Sequence, residues 1–280
     1  MAICSQCAPE NILKPKIVLN QKHAPSVTTS IHSMQSKMLS GRILIWLLLY
    51  HIYDKVKRVM MKSENILEQI DAAFAVWCAA GVDATELARM ASIAIERKID
   101  VMSVAPDDVA VVWPWIENKK IKIFPRFYVN KSDVETVSGV SRDINLAFKN
   151  GADGAMVFLS QNQLDFFVSQ IYLIRDDLFF NKSFFVGLDI SEIGPFDWKN
   201  VFSALAKVRA DGLVLSLTND TGDKSDFVGR LYAALDAWSD TNMSLYFVLG
   251  AKCVRIEQAM RLVQSMRPEL VDKTKFFVTV

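Results

Sequence analysis

Several residues that could do chemistry stand at the C-terminal ends of short apolar runs in this chain. Asp189 lies at the end of the run Phe184–Ile190 and could act as a general base. Lys252 follows the run Leu245–Leu249 and could form an imine with a carbonyl compound, with an exposed lysine that precedes a helix as the alternative. The residues that could bind a ligand are Arg126, Ser216, Thr218 and Asn219.

Each ligand-binding candidate also has a purely structural interpretation. Arg126 stands among apolar residues, where it could clamp an anion or form a structural ion pair. The hydroxyls, amide and glycine in 216–222 suit a polar or phosphorylated ligand, although loops of this composition are often plain turns.

The elements that would position these residues are predicted by an alternation of β-rich apolar runs with segments of helical periodicity. Such alternation is typical of a parallel sheet covered by helices. Eight runs are expected to be strands, which predicts a (β/α)₈ barrel, the TIM barrel, over residues 61–280. The expected strands are Ala72–Cys78, Val101–Ala105, Ile121–Val129, Ala155–Leu159, Phe184–Ile190, Gly212–Leu217, Leu245–Leu249 and Phe276–Val280.

The sequence leaves alternatives open at the first strand of the expected barrel and after its last strand. The run Ala72–Cys78 could instead continue a helix that begins at Ser63, but the capping pattern Asp83-Ala-Thr-Glu86 favours a strand, a loop and a new helix. No residues remain for an eighth helix after the eighth strand, so we expect either an incomplete C-terminus or an unusual barrel closure.

A repeated turn precedes two of the expected strands. Gly151-Ala-Asp-Gly154 enters the fourth strand, and Arg209-Ala-Asp-Gly212 enters the sixth. Because these turns lie at the N-terminal face of the barrel, we expect Asp153 and Asp211 to be structural rather than catalytic.

Composition excludes several classes of chemistry. All three histidines lie before residue 61, so the barrel cannot use a histidine base or a histidine-ligated zinc ion. Acidic residues outnumber basic ones in 61–280, which argues against nucleic-acid binding. Cys4 and Cys7 form a single C-x-x-C pair, whereas Cys78 and Cys253 are expected to be reduced thiols of a cytoplasmic protein's core. We expect no cofactor and no metal.

Residues 1–60 are expected to be an irregular leader. The apolar run Ile43–Tyr50 is shorter than the roughly 20 residues that span a bilayer, so no membrane-spanning helix is expected. The segment could be a targeting or signal-anchor sequence, a peripheral amphipathic anchor, or sequence upstream of a mis-assigned start. The last interpretation is favoured because Met60 and Met61 directly precede regular structure.

From about Ala72 to Val280 the chain resembles the class I aldolase barrels, and within them deoxyribose-phosphate aldolase. The resemblance lies in the order of its segments: Val82–Glu86 before the first helix, Ser103–Pro106 after strand two, Gly151–Asp153 and Ala210-Asp211.

The resemblance also implies where catalytic residues would fall. An imine-forming lysine is implied within Leu213–Leu217, an accessory lysine near Leu249 and an aspartate at Met156. All three positions are apolar in this chain, and Lys252-Cys-Val254 replaces the family's glycine-rich phosphate-binding segment.

Two functions follow as expectations. The first is an aldolase-type lyase that acts on a small carbonyl compound, with or without a phosphate, using Lys252 with Asp189 as its proton-transfer partner. The second is a catalytically inactive barrel that binds a ligand or serves as a scaffold. A membrane-attached protein that uses residues 43–58 is a third alternative. A small-molecule ligand is the expected partner, and a homo-oligomer is compatible with either function.

Overall fold

The computed structural model describes residues 72–217, 224–238, 242–249 and 253–279. The predicted leader therefore lies outside the described residues, as do Thr218, Asn219 and Lys252.

Eight parallel strands form a closed barrel in sequence order, and β1 pairs with β8 to complete the ring. The predicted TIM barrel is therefore confirmed. The strands are β1 (Phe74–Trp77), β2 (Val101–Val104), β3 (Lys122–Tyr128), β4 (Gly154–Phe158), β5 (Ser183–Asp189), β6 (Gly212–Ser216), β7 (Ser244–Val248) and β8 (Thr274–Val278).

Seven α-helices connect successive strands, and each buries one apolar stripe of the kind that covers a sheet. They are α1 (Ala84–Glu96), α2 (Val109–Ile116), α3 (Val134–Lys149), α4 (Leu164–Leu178), α5 (Trp198–Lys207), α6 (Lys224–Ala237) and α7 (Cys253–Met266). Short 3₁₀ helices at Pro106–Asp108 and Gln161–Gln163 precede α2 and α4, and a third, Pro268–Lys273, precedes β8. No helix follows β8 in the described part of the chain, as expected.

The start of the barrel agrees with the capping pattern in the sequence. The Asp83 side chain accepts a hydrogen bond from the Glu86 backbone N–H at 2.8 Å, which begins α1 there and leaves Phe74–Trp77 as a separate strand.

The barrel encloses its own apolar core, separate from the larger core between the strands and the helices. Every strand contributes at least one residue to this interior cluster, which holds Ala75, Val101, Phe124, Met156, Phe158, Phe185, Val214, Tyr246 and Phe277. Three of its phenylalanines lie over glycines of the next strand: Phe124 over Gly154, Phe158 over Gly187, and Phe185 over Gly212. A Cβ on any of these glycines would overlap the ring, so the alternation of large and small residues fills the interior densely.

The two repeated turns have the same hydrogen bonding at the N-terminal face. Asp153 Oδ2 accepts the backbone N–H of Ile123, and Asp211 Oδ2 accepts that of Phe184, each at 2.8 Å. Both aspartates thus tie a turn to the beginning of a neighbouring strand, which confirms their structural role.

Within the described ranges, no helix is both long enough and apolar enough to cross a bilayer.

Candidate active site at the mouth of the barrel

A cavity of about 380 Å³ opens at the C-terminal ends of the strands. Asp189, Ser216 and Val248 line it, and they form one row because Asp189 pairs with Ser216 and Ser216 with Val248 across β5, β6 and β7. Side chains in register on neighbouring parallel strands point to the same side of the sheet. The structure therefore places two sequence-predicted site residues, Asp189 and Ser216, next to each other on the cavity wall.

An aromatic wall borders the same cavity and is formed by Trp77, Tyr128 and Phe158. The Tyr128 and Phe158 rings are stacked with centroids 5.4 Å apart, and the Trp77 ring meets Phe158 edge-on at 6.1 Å. Gly187 makes this wall possible, because any side chain there would displace the Phe158 ring.

Asp189 is held in a tight turn at the end of β5. Its Oδ1 atom accepts hydrogen bonds from the Ser191 backbone N–H at 2.8 Å and from Ser191 Oγ at 2.6 Å. The Glu192 backbone N–H donates to the Asp189 carbonyl oxygen at 3.1 Å, which brings Glu192 to the cavity lining as well. The cavity therefore has two acidic residues on its β5 side.

Arg230 on α6 anchors the loop that carries these carboxylates. Its Nη1 atom donates to the carbonyl oxygens of Ser191 at 2.9 Å and Ile193 at 3.1 Å, while its Nε atom pairs with Asp226 at 2.8 Å. The guanidinium therefore holds the backbone of the β5–α5 loop.

Arg126 projects into the barrel beneath the cavity floor and is 4% exposed. Its Nη1 donates to Ser103 Oγ at 3.1 Å, its Nη2 donates to the Cys78 carbonyl oxygen at 2.5 Å, and its guanidinium lies 4.1 Å from the centre of the Trp77 ring. Arg126 is not among the residues that line the cavity. Its role as an anion clamp stays a prediction, and the contact that this structure provides is support for Trp77.

Burial controls the electrostatics around this arginine. Burial lowers the pKa of Arg126, and the nearby Tyr128 and Cys78 oppose that shift. Burial raises the pKa of the Cys78 thiol to about 12, and it also raises the pKa of the Asp108 carboxyl, assisted by the neighbouring Asp107. Cys78 is a free, buried cysteine, which confirms its expected core position. The side chain of Cys253 lies outside the described residues.

The barrel interior is apolar where the family resemblance implies catalytic groups. Met156 is fully buried in the interior cluster, and the β6 residues on the interior side are Gly212, Val214 and Ser216. The lysines on the interior faces of the described strands, Lys122 and Lys275, lie at the N-terminal ends of β3 and β8, away from the mouth. The structure thus gives the register of these positions and places no lysine at the implied strand-six site.

No group of three histidine, cysteine or carboxylate side chains is close enough to hold a metal ion in the part of the chain that the structure describes.

Sequence reasoning missed several residues of the cavity wall. Trp77, Tyr128, Phe158 and Glu192 line the cavity, although none of them is a site residue predicted from the sequence. The signal was present in the alternation along each strand, because the last interior-facing residue of a barrel strand must lie at the mouth. Asn130, Ser160 and Gln163, in the segments after β3 and β4, complete the polar part of the lining.

No protein-family model and no curated protein matches this chain. Solved structures do match: a structure from Toxoplasma gondii ME49, provisionally assigned as a deoxyribose-phosphate aldolase, is similar with a TM-score of 0.60 and 16% identity over 76% of this chain and 91% of that one. One from Coccidioides immitis, assigned in the same way, has a TM-score of 0.59 and 12% identity, covering 83% of this chain and 91% of that chain.

The tetrameric deoxyribose phosphate aldolase of Aeropyrum pernix matches with a TM-score of 0.57 and 9% identity, over 80% of this chain and 92% of that one. A homo-oligomer stays a prediction for the present chain. Similarity at this level of identity concerns the fold alone, and it confirms the resemblance stated from the sequence: this chain folds as an aldolase-like TIM barrel.

Proposed function

We propose that this aldolase-like barrel binds a small polar molecule in its mouth cavity and does so without an imine-forming lysine inside the barrel. The observation that carries the proposal is the row of Asp189, Ser216 and Val248, which lines a cavity of about 380 Å³ on three adjacent strands. A cavity of a few hundred cubic ångströms, apolar on one side and polar on the other, is typical of small-molecule sites.

The apolar interior supports binding over lyase chemistry. Met156 and Val214 are fully buried in the interior cluster, where they pack against aromatic rings and not against a catalytic acid or amine. Imine catalysis from the barrel interior needs a lysine side chain at the reacting carbon. Binding needs only the wall and carboxylates that the cavity has.

A blocking variant tests the binding site. Asn130→Trp adds a large ring to the cavity lining, whereas Lys131→Trp adds the same ring at the next position, which does not line the cavity. We expect ligand-observed NMR with a set of small polar fragments to find molecules that bind the wild type and Lys131→Trp but not Asn130→Trp. Fragments that bind all three chains equally would place the binding elsewhere.

The lyase is a second candidate, supported by one observation. Val248 lines the cavity at the end of β7, and Lys252 follows it four residues later in the sequence, beyond the described part of that loop. In this candidate the Lys252 amine condenses with a carbonyl compound to an imine and releases water, with Asp189 moving the proton. Structures similar to this barrel include aldolases, which supports a carbonyl substrate for this candidate.

Borohydride separates the two candidates, because hydride reduces an imine to a stable secondary amine. Incubation with small aldehydes and keto acids followed by reduction should add the substrate's mass at Lys252 if the lyase operates, and Lys252→Ala should abolish that adduct. We expect instead either no adduct or labelling spread over surface lysines. A stoichiometric adduct confined to Lys252 would overturn the binding-only proposal.

A further inference from the structure

The cavity is lined by acidic residues and by aromatic rings. Asp189 and Glu192 contribute the negative charges from the β5 end, and Trp77, Tyr128 and Phe158 form the aromatic wall. Among the described residues, no lysine or arginine lines it. Both features attract positive charge, because an aromatic face carries a negative quadrupole and a carboxylate a full negative charge.

We propose that the mouth cavity selects small molecules that carry an ammonium group, which would lie between the carboxylates of Asp189 and Glu192 and the aromatic wall. The inference rests on the proposed function, since it names the ligand class of the same cavity. It departs from the expectation of a phosphorylated compound, which would require cationic or N–H donors around the phosphate.

The charge distribution of the whole mouth supports this selectivity. Acidic residues outnumber basic ones in the loops that follow β1 to β5, where Lys131 is the basic residue in sequence. Two arginines from other positions also lie close to this face: Arg126 of β3 beneath Trp77, and Arg230 of α6 on the β5–α5 loop. The acids are Asp83, Asp107, Asp108, Asp133, Asp189, Glu192 and Asp197. The loops after β6 and β7, which the structure leaves undescribed in part, add Asp220, Asp223 and Lys252 in sequence.

The opposite face of the barrel lacks this excess of acidic residues. The loops that lead from α1 to α5 into the next strands contain Arg97, Lys98, Lys119, Lys120, Lys182 and Arg209 against Asp100, Glu117, Asp153 and Asp211. The segments after α6 and α7 add Arg267 and Lys273 against Asp240, Glu269 and Asp272, so the two signs nearly balance at this face. A barrel whose acidic residues are concentrated at its mouth attracts cations to the cavity.

Arg126 places a positive charge behind the Trp77 ring, and Arg126 itself does not line the cavity. Its guanidinium is buried beneath Trp77, and its N–H groups already donate to Ser103 and to the Cys78 carbonyl oxygen. The arginine therefore faces the inner side of the aromatic wall, and the ligand meets the outer side together with the two carboxylates.

Three probes of equal chain length isolate the charge: 1,5-diaminopentane, 1,5-pentanediol and glutarate. Titration calorimetry and ligand-observed NMR on the full chain should give the diamine at least about a tenfold lower Kd than glutarate, which corresponds to roughly 1.4 kcal/mol. Raising NaCl should weaken diamine binding, because salt screens partly exposed charges.

Two charge-neutralising variants and a matched control locate the effect. Glu192→Gln and Asp189→Asn should each weaken diamine binding by about twofold to fivefold, the range expected of a partly exposed ion pair. Glu117→Gln removes the same charge at the opposite face of the barrel and should leave the Kd unchanged.

The outcomes separate the inference from the function on which it rests. If glutarate or the diol binds as tightly as the diamine, and Asn130→Trp abolishes all of this binding, the ammonium inference is overturned. The mouth then remains a binding site. Diamine binding that is unaffected by Asn130→Trp, or no binding of any probe, would overturn both.

Discussion

Single residues at the mouth act through neighbours as much as through their own chemistry. Arg126 illustrates this, because its guanidinium donates to Ser103 and to the Cys78 carbonyl oxygen and lies against the face of Trp77. Asp189 similarly has one carboxylate oxygen occupied by Ser191, which fixes its orientation at the cavity. The geometry of this site is therefore set by buried polar contacts behind the wall that a ligand would touch.

Removing the Arg126 side chain should destabilise the protein and disturb the aromatic wall. Arg126→Ala leaves a cavity beneath Trp77 and an unpaired buried hydroxyl at Ser103, for which we expect a loss of about 2–4 kcal/mol in the free energy of unfolding. Urea titration measures this loss. Arg142→Ala, an exposed arginine on α3, is the matched control and should cost much less. Equal effects for the two variants would contradict the structural role of Arg126.

The Cys78 thiol should be unreactive in the folded protein. Alkylation requires the thiolate, and burial raises the pKa of this thiol from an ordinary value near 9.0 to about 12. Iodoacetamide at pH 8 should label Cys78 only after unfolding, as mass spectrometry of the Cys78 peptide would show.

The raised pKa of Cys78 also makes the stability of the folded protein depend on pH. Because the folded-state pKa of Cys78 is raised, its contribution to stability is complete below about pH 9 and is lost as the pH rises towards 12. Rapid labelling of Cys78 under native conditions at pH 8 would contradict its burial.

Hydrogen-bonded turns and helix caps recur in the barrel and position its strands and helices. The turns ending in Asp153 and Asp211 have equivalent hydrogen bonds to the start of the preceding strand in the barrel, two βα units apart. At the other face, N-terminal caps begin α1 at Asp83 and α3 at Asp133. The caps and turns fix where each strand starts and ends, and so which residues reach the mouth.

Loss of one turn aspartate should weaken the barrel measurably. Asp153→Ala leaves the Ile123 backbone N–H without its side-chain acceptor, for which we expect a loss of about 1–3 kcal/mol in the free energy of unfolding. Chemical denaturation provides the measurement, with Asp143→Ala on the exposed side of α3 as the control. A neutral effect of Asp153→Ala would show that the turn holds without this bond.

Periodicity predicts all eight strands to within a few residues and a helical segment between successive strands, since these patterns are dictated by burial on each face. The site was harder to predict. Asp189 and Ser216 were found because polar residues at the ends of apolar strands are conspicuous. Trp77 and Phe158 were missed because an aromatic residue at the mouth has the same pattern as one in the core. The burial of Arg126 depends on its contact with Trp77, 49 residues earlier in the chain, which no local pattern encodes.

At the scale of the whole molecule, the described barrel closes on its own strands. β1 pairs with β8 through Phe74, Ala75 and Val76, so the ring is complete from residue 74 onward. The excess of acidic residues at the mouth is a property of several loops together, which no single residue or element has.

We expect residues 61–280 to account for the thermal stability of the full chain. A chain that starts at Met61 is expected to be as soluble as the full chain and to have the same thermal midpoint within about 5 °C, a difference of roughly 1 kcal/mol or more for a domain of this size. Differential scanning calorimetry of both chains measures it. A larger fall would show that the first sixty residues stabilise the barrel.

The most direct measurement of the central claim, that the mouth of the barrel is a small-molecule site, is a crystal structure of the full chain with the fragment that binds it most tightly. We expect the fragment between the row of Asp189, Ser216 and Val248 and the aromatic wall that includes Trp77. A cavity filled by the protein's own side chains, with the fragment bound only elsewhere on the surface, would contradict the account.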